Sequence, residues 1–162
     1  MTDKEFYRKI VNGKADLLQI FLDTLQKNKV KFCIIGGLAV NAYAEPVVSL
    51  DLDVVIDCAK TNGLLSRLKK DNKGSKLRIQ IQTDERYQGF LKRAKVKNVL
   101  GYKIPVATIE DVLQGKIWVA MDEMRRPSKR QKDLADILRL VEGKAALKEL
   151  LPEELRKQLK LG

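Results

Sequence analysis

The chain has 162 residues, 44% of them hydrophobic and 33% charged, which is enough for one domain with a buried core. Its net charge is +11 and it contains no histidine. The missing histidine excludes Ser-His-Asp and Cys-His hydrolases, histidine bases and histidine metal sites, so chemistry must come from carboxylates, lysines, hydroxyls, backbone amides and a bound metal. The N-terminus alternates charged and apolar residues, unlike a signal peptide. No apolar run approaches the ~20 residues that cross a bilayer. Cys33 and Cys58 each sit in an apolar, strand-like run and read as reduced core thiols. The expected compartment is the cytoplasm, with no membrane partner.

In chain order, residues 15–28 place Leu17, Leu18, Phe21, Leu22 and Leu25 at helical spacing and are predicted to form an amphipathic helix. Lys31 to Ile35 is a short β-prone run ended by Gly36-Gly37. Leu38 to Ala44 suits a short helix that stops before Pro46. Leu50 to Ile56 is a second predicted strand, residues 60–70 a helix, and Asn72 to Ser75 a turn. Leu77, Ile79 and Ile81 alternate with Arg78, Gln80 and Gln82, the period of a half-buried strand. Residues 85–103 read as irregular and basic. Thr108 opens the next helix, with Asp111 three residues on as a weak capping box. A further helix follows Pro127-Ser128 and ends near Gly143, and a last one begins at Pro152 with Glu153 and Glu154 in its first turn.

The charge is unevenly spread. Residues 60–103 carry 13 basic and 3 acidic groups, whereas residues 1–59 carry 7 and 8. A block of that kind suits a polyanion such as RNA, DNA or a nucleotide, the alternative being a solvated lysine-rich surface. If the block binds RNA, reversing Lys92, Arg93 and Lys95 is expected to weaken binding with little effect on folding.

Two short motifs carry the chemistry. A glycine pair leaving a strand lets backbone N–H groups approach a phosphate, because no Cβ stands in the way, and a following helix adds its positive end. Asp51 and Asp53 lie two apart on a strand, so both carboxylates project from one face. Two hard oxygen ligands suit Mg²⁺ that also contacts substrate phosphates. Each motif alone is common. Strand, Gly-Gly, helix and strand, with Asp-x-Asp beginning 14 residues after the second glycine, is much more specific.

Later in the chain, Ile109, Val112, Leu113, Ile117 and Ala120 form one apolar helical stripe that contains Lys116. A lysine there must either reach out to solvent or meet an anion. On the next helix Leu134, Ile137, Leu138 and Val141 mark the buried side. Asp133 lies on its flank, and Asp136 is expected to point further outward.

The arrangement of Phe32 to Tyr43 and Ser49 to Ile56 resembles the nucleotidyltransferase superfamily that includes DNA polymerase β. More narrowly, the chain looks like the minimal bacterial and archaeal members related to the AbiEii toxin nucleotidyltransferases of toxin–antitoxin systems. The run Ser128-Lys-Arg-Gln-Lys-Asp-Leu-Ala-Asp-Ile137 resembles the closing motif of that family. The resemblance implies an α/β fold in a single domain, a small mixed sheet flanked by helices over about 15–107 with a helical C-terminal portion over 108–162. It implies Mg²⁺-dependent transfer of a nucleotidyl group from an NTP to a hydroxyl acceptor. RNA or tRNA is the first acceptor to try, a protein hydroxyl the second, and a cognate antitoxin is an implied partner. Carried over residue by residue, Gly36, Gly37 and Lys116 would bind the nucleotide and Asp51 and Asp53 the metal. Asp133 would orient Lys116 or position the acceptor, and Arg125, Arg126 and Arg130 would be phosphate or RNA contacts.

Two departures stand out. The strand where active relatives present a third carboxylate offers Gln80 and Gln82, with Asp84 at or beyond its end. The segment before Asp51, Pro46-Val-Val-Ser-Leu50, is apolar where related sequences commonly carry Arg and Lys. The alternative is therefore a catalytically degenerate module that binds nucleotide, RNA or a partner protein. In the enzyme reading Lys116→Met should remove activity and nucleotide affinity yet fold at least as stably as the parent, whereas in the degenerate module the same change should leave nucleotide binding untouched.

Overall fold

The structure, a computed structural model, describes residues 1–11, 16–57, 63 and 76–162. The predicted helix at 60–70, the turn at 72–75 and Cys58 lie outside the described residues.

Helix α1 (Asp3–Ile10) opens with a complete capping box: Thr2 accepts from the Glu5 amide, and the Glu5 carboxylate accepts from the Thr2 amide. This helix was not expected, although Thr-x-x-Glu is its usual sequence signature. It buries Tyr7, whose hydroxyl donates to the Ser49 carbonyl at 2.9 Å and so supports the approach to Asp51. Helix α2 (Leu17–Lys27) is capped by Asp16 and buries Leu18, Phe21, Leu22 and Leu25, as its periodicity predicts.

Strand β1 (Phe32–Ile35) is buried at every position and runs into the short helix α3 (Gly36–Val40). Strands β2 (Asp51–Ile56) and β3 (Arg78–Gln82) follow. The sheet has five strands in the order β3-β2-β1-β5-β4. β1 pairs antiparallel with β2 and parallel with β5, and β2 pairs parallel with β3. The mixed sheet with flanking helices matches the α/β expectation. Its register matters for function: Ile35 faces Asp53 across β1 and β2, and Asp53 faces Gln80 across β2 and β3.

Residues 85–103 are more regular than expected. They form two short helices, α4 (Glu85–Gln88) and α5 (Phe90–Arg93), then strand β4 (Lys95–Val99), which pairs antiparallel with β5 (Tyr102–Val106). The pattern was hidden because β4 is an edge strand, exposed at four of its five positions, so it shows no apolar alternation. The hairpin turn has two residues, Leu100 and Gly101, at φ +50° and +83°. Two left-handed residues suit the twist of a two-residue hairpin, but Leu-Gly lacks the usual Asn-Gly signature.

The C-terminal portion contains α6 (Ile109–Ala120), α7 (Pro127–Gly143), a 3₁₀ turn (Ala145–Leu150) and α8 (Glu153–Gln158). Thr108 caps α6 by accepting from the Asp111 amide, while the Asp111 carboxylate turns instead to Arg93. α6 and α7 pack on each other and on α3, and their apolar faces join one core with the sheet. Cys33 is fully buried in that core, and burial pushes its thiol up to about 12. Among the described residues no helix is long and apolar enough to cross a membrane.

Gly101 gives a direct test of the hairpin. A Cβ there would sit 3.1 Å from Lys4 Cβ, on a backbone already at φ +83°. Gly101→Ala should lower stability by about 1–2 kcal/mol, read as an earlier midpoint in urea unfolding.

Candidate active site

A cavity of about 340 Å³ lies between the sheet, α3 and the α6–α7 pair. Gly36, Gly37, Asp51, Asp53, Lys116 and Asp133, the six residues singled out in the sequence, all line it. They come from four separate stretches of chain, brought together by the β1–β2 pairing and the packing of α6 and α7 on α3.

Gly36 has φ +72°, and a Cβ added there would lie 2.2 Å from Asp53 Oδ2. Only glycine lets the Asp53 carboxylate rest against the end of β1 in this way. α3 has five residues, so any anion binding here relies on nearby amides rather than on the dipole of a long helix. Gly37 faces Ser49 Oγ and Asp136, with its own virtual Cβ 3.4 Å from Ser49 Oγ.

Asp51 is held by two cations. Arg78 Nε donates to Oδ1 at 2.7 Å and Lys129 Nζ to Oδ2 at 2.9 Å. Burial alone would raise the Asp51 carboxyl, but the hydrogen bonds from Lys129 and Arg78 outweigh it and hold the group below its ordinary range. Asp53 makes no side-chain hydrogen bond or ion pair among the described residues. Burial pushes it up to about 6, with the Lys116 charge opposing that shift and the Asp51 charge adding to it.

Lys116 is 8% exposed and does meet anions. Its Nζ lies 3.1 Å from Asp133 Oδ1 and 2.7 Å from Asp136 Oδ2. Arg125 forks onto Asp133, with Nε at 2.8 Å from Oδ2 and a terminal nitrogen 3.2 Å from Oδ1. Arg139 donates to Asp136 Oδ1 at 2.8 Å and also to Asn41 Oδ1 and the Glu45 carbonyl.

Asp136 therefore does not point outward as expected. It stands three residues after Asp133 on α7, which places both on one face within reach of a single lysine. That spacing was visible in the sequence. Lys129, Lys132, Arg139, Ser49 and Tyr87 also line the cavity and were not singled out. Ser49, Lys129 and Lys132 fall within the runs that carry the family resemblance, but nothing local assigns these five to the cavity, because their relation to Asp51 and Asp53 is made only by the fold.

Other expectations need adjustment. Arg125 lines the cavity but is engaged with Asp133. Arg130 donates to the carbonyls of Ala120 and Asp122, so it braces the α6–α7 connection rather than facing the cavity. Arg126 immediately precedes α7 and is not among the lining residues. Arg93 forks onto Asp111, whose side chain is largely buried, so reversing its charge would cost folding as well as any RNA contact. Gln80 and Gln82 do line the cavity from β3, whereas Asp84 lies beyond that strand as the exposed cap of α4, paired with Arg86.

The donor set fits a magnesium ion that borrows ligands from its substrate. Among the described residues no group of three or more acidic, Cys or His side chains is placed to hold a metal. Asp51 and Asp53 give two carboxylates on one wall of the cavity, and Mg²⁺ commonly takes one or two protein carboxylates with phosphate oxygens and waters for the rest.

No known family model and no curated protein matches this sequence. Solved structures do share its fold. The antibiotic-resistance factor ANT(2'')-Ia aligns at a TM-score of 0.53 and 12% identity, covering 89% of this chain and 88% of its own. An antigenic nucleotidyltransferase-like protein from Paracoccidioides brasiliensis aligns at 0.53 and 18% identity, covering 98% and 88%. The lincosamide antibiotic adenylyltransferase LnuA, lincomycin-bound, aligns at 0.51 and 14% identity, covering 78% and 98%. The fold is thus nucleotidyltransferase-like, a five-stranded mixed sheet with flanking helices and a helical C-terminal part. At these identities the likeness is one of fold.

Two outcomes follow from the charges. Lys116→Met was expected to fold at least as stably as the parent, but here it would leave buried Asp133 and half-buried Asp136 short of a partner. With Arg125 and Arg139 still in place, the loss should be about 3 kcal/mol, measurable by denaturant unfolding. For Asp53 the folded protein holds its proton from an ordinary value near 3.8 up to about 6, so its contribution is lost as pH rises through 6. In metal-free buffer, Asp53→Asn should melt above the parent at pH 8, and the difference should vanish as pH falls to 4.

Proposed function

We propose that the protein is a Mg²⁺-dependent nucleotidyltransferase acting on an NTP and a hydroxyl acceptor. The observation that carries this reading is the convergence of Gly36, Gly37, Asp51, Asp53, Lys116 and Asp133 on one cavity of suitable chemistry. The acceptor oxygen would form a bond to the α-phosphorus as the bond to the β-phosphate oxygen breaks, releasing pyrophosphate and a proton. A bound Mg²⁺ would supply charge stabilisation on the phosphates, held by Asp51 and Asp53. Gly36 and Gly37 leave room for phosphate against the backbone. Lys116, Arg125 and Arg139 outnumber the two aspartates they hold, so a positive charge remains on that side for the leaving group.

For the acceptor, the basic residues of the 60–103 block support RNA or tRNA, with a protein hydroxyl as the second choice. A small-molecule hydroxyl joins them, because one structural neighbour is an antibiotic adenylyltransferase with lincomycin bound. A toxin role in the cytoplasm, balanced by an antitoxin, is the finer form of this proposal and rests on the AbiEii-like motifs.

A second reading, a nucleotide- or RNA-binding module without catalysis, is favoured by the double pairing of Asp51 and by neutral Gln80 and Gln82 on β3. One experiment separates them. The protein is incubated with each labelled NTP, Mg²⁺ and total RNA, with cell protein and small hydroxyl compounds in parallel. The enzyme reading expects label transfer to one acceptor class, reduced at least about 100-fold by Asp51→Asn or Asp53→Asn. Tight NTP binding with no transfer to any class would establish the module instead.

A further inference from the structure

Among the described residues, Asp51 is the cavity carboxylate on the sheet that a cation of the helical C-terminal portion reaches. Lys129, in the first turn of α7, spans to β2 and places Nζ 2.9 Å from Asp51 Oδ2. The other partner, Arg78, sits outside the cavity on the adjoining strand with 63% of its side chain exposed. Lys129 lines the cavity itself, and its side chain is 29% exposed, so it can swing without unpacking the core. The first turn of α7 contains no acidic residue, so the partial positive charge of this 17-residue helix is met by a lysine and an arginine rather than by a carboxylate. That placement is unfavourable unless an anion lies close by, and Asp51 now fills that part.

We propose that Lys129 is a substrate-binding residue with two positions. It pairs with Asp51 while the cavity holds no nucleotide, and it moves to the polyphosphate once a divalent cation takes Asp51. A lysine and a divalent cation on one carboxylate oxygen weaken each other's hold, since like charges a few ångströms apart repel. A displaced Lys129 needs another anion, and the polyphosphate beside Gly36-Gly37 is the one the reaction supplies. Metal alone would bind poorly, because it must expel a tethered cation and give it nothing in exchange. Metal with nucleotide would bind well. The inference rests on the reading of Asp51 and Asp53 as the metal site.

The test is a binding measurement without turnover. Mn²⁺ is titrated by electron paramagnetic resonance into the parent, Lys129→Met, Lys129→Arg and Asp51→Asn proteins. Each titration is run alone and with the α,β-methylene analogues of the four ribonucleoside triphosphates, and thermal melts confirm that each variant is folded. Lys129→Met should bind Mn²⁺ alone about three- to fivefold more tightly and the analogue with Mn²⁺ weaker by a similar factor. Lys129→Arg, which keeps the charge, should stay near the parent in both. Unchanged Mn²⁺ affinity in Lys129→Met would overturn the competition, and unchanged analogue affinity would overturn the transfer to phosphate. Failure of the metal-site reading looks different: the parent would bind no Mn²⁺ even with an analogue, or Asp51→Asn would bind it as well as the parent does.

Discussion

A single buried ammonium holds the functional half of this molecule together. Lys116 stands in an otherwise apolar stripe of α6, where an unpaired charge would be costly, and it is tolerated because Asp133 and Asp136 of α7 both reach it. Satisfying one lysine with two carboxylates sets the rotation of α7 about its axis and its distance from α6. Arg125 then neutralises the outer side of Asp133, and Arg139 does the same for Asp136 while gripping Asn41 and the Glu45 carbonyl. Asn41 in turn exchanges two hydrogen bonds with Val47, which shapes the loop leading to Asp51. The charged network is thus continuous with the wall of the cavity. Three cations against two carboxylates leave it positive, the sign a nucleotide requires.

A second constraint acts on the opposite wall. The end of β1, the left-handed Gly36 and the Asp53 carboxylate occupy almost the same space, which forces a glycine at the junction and places a carboxylate in a partly dry position. Among the described residues Asp53 has no neutralising partner of its own, in contrast to Asp51, Asp133 and Asp136. A fold selected for stability alone would not keep an unpaired carboxylate there, and such groups concentrate at sites where a ligand completes the charge balance. The neutral Gln80 and Gln82 on the next strand keep that end of the cavity polar without adding negative charge.

The legible part of this architecture was the part with local signatures. The α2 stripe, the buried run of β1, the helix opened by Thr108 and the Pro127 start of α7 each depend on residues within a few positions of one another. The edge strand β4 was missed because it has little to bury, and α1 because its capping box went unread. Asp136 was placed on the wrong side because the apolar stripe of α7 was taken as the whole of its inward face. In the folded protein that face is partly polar, since it covers a charged cavity as well as the core.

By itself, then, the sequence determined that Gly36-Gly37 leaves a strand, that Asp51 and Asp53 share a face, and that Lys116 in its apolar stripe must either reach solvent or meet an anion. Backbone period and the cost of a buried charge settle each of these within one element. Tertiary structure alone decided that Lys116 meets anions and which ones, that Lys129 crosses from α7 to Asp51, and that Arg93 serves Asp111 rather than a surface patch. Those are contacts between residues 17 to 78 positions apart along the chain. Many such pairings are compatible with one sequence pattern, and only the packing of helices on the sheet brings particular charges within the few ångströms where they interact.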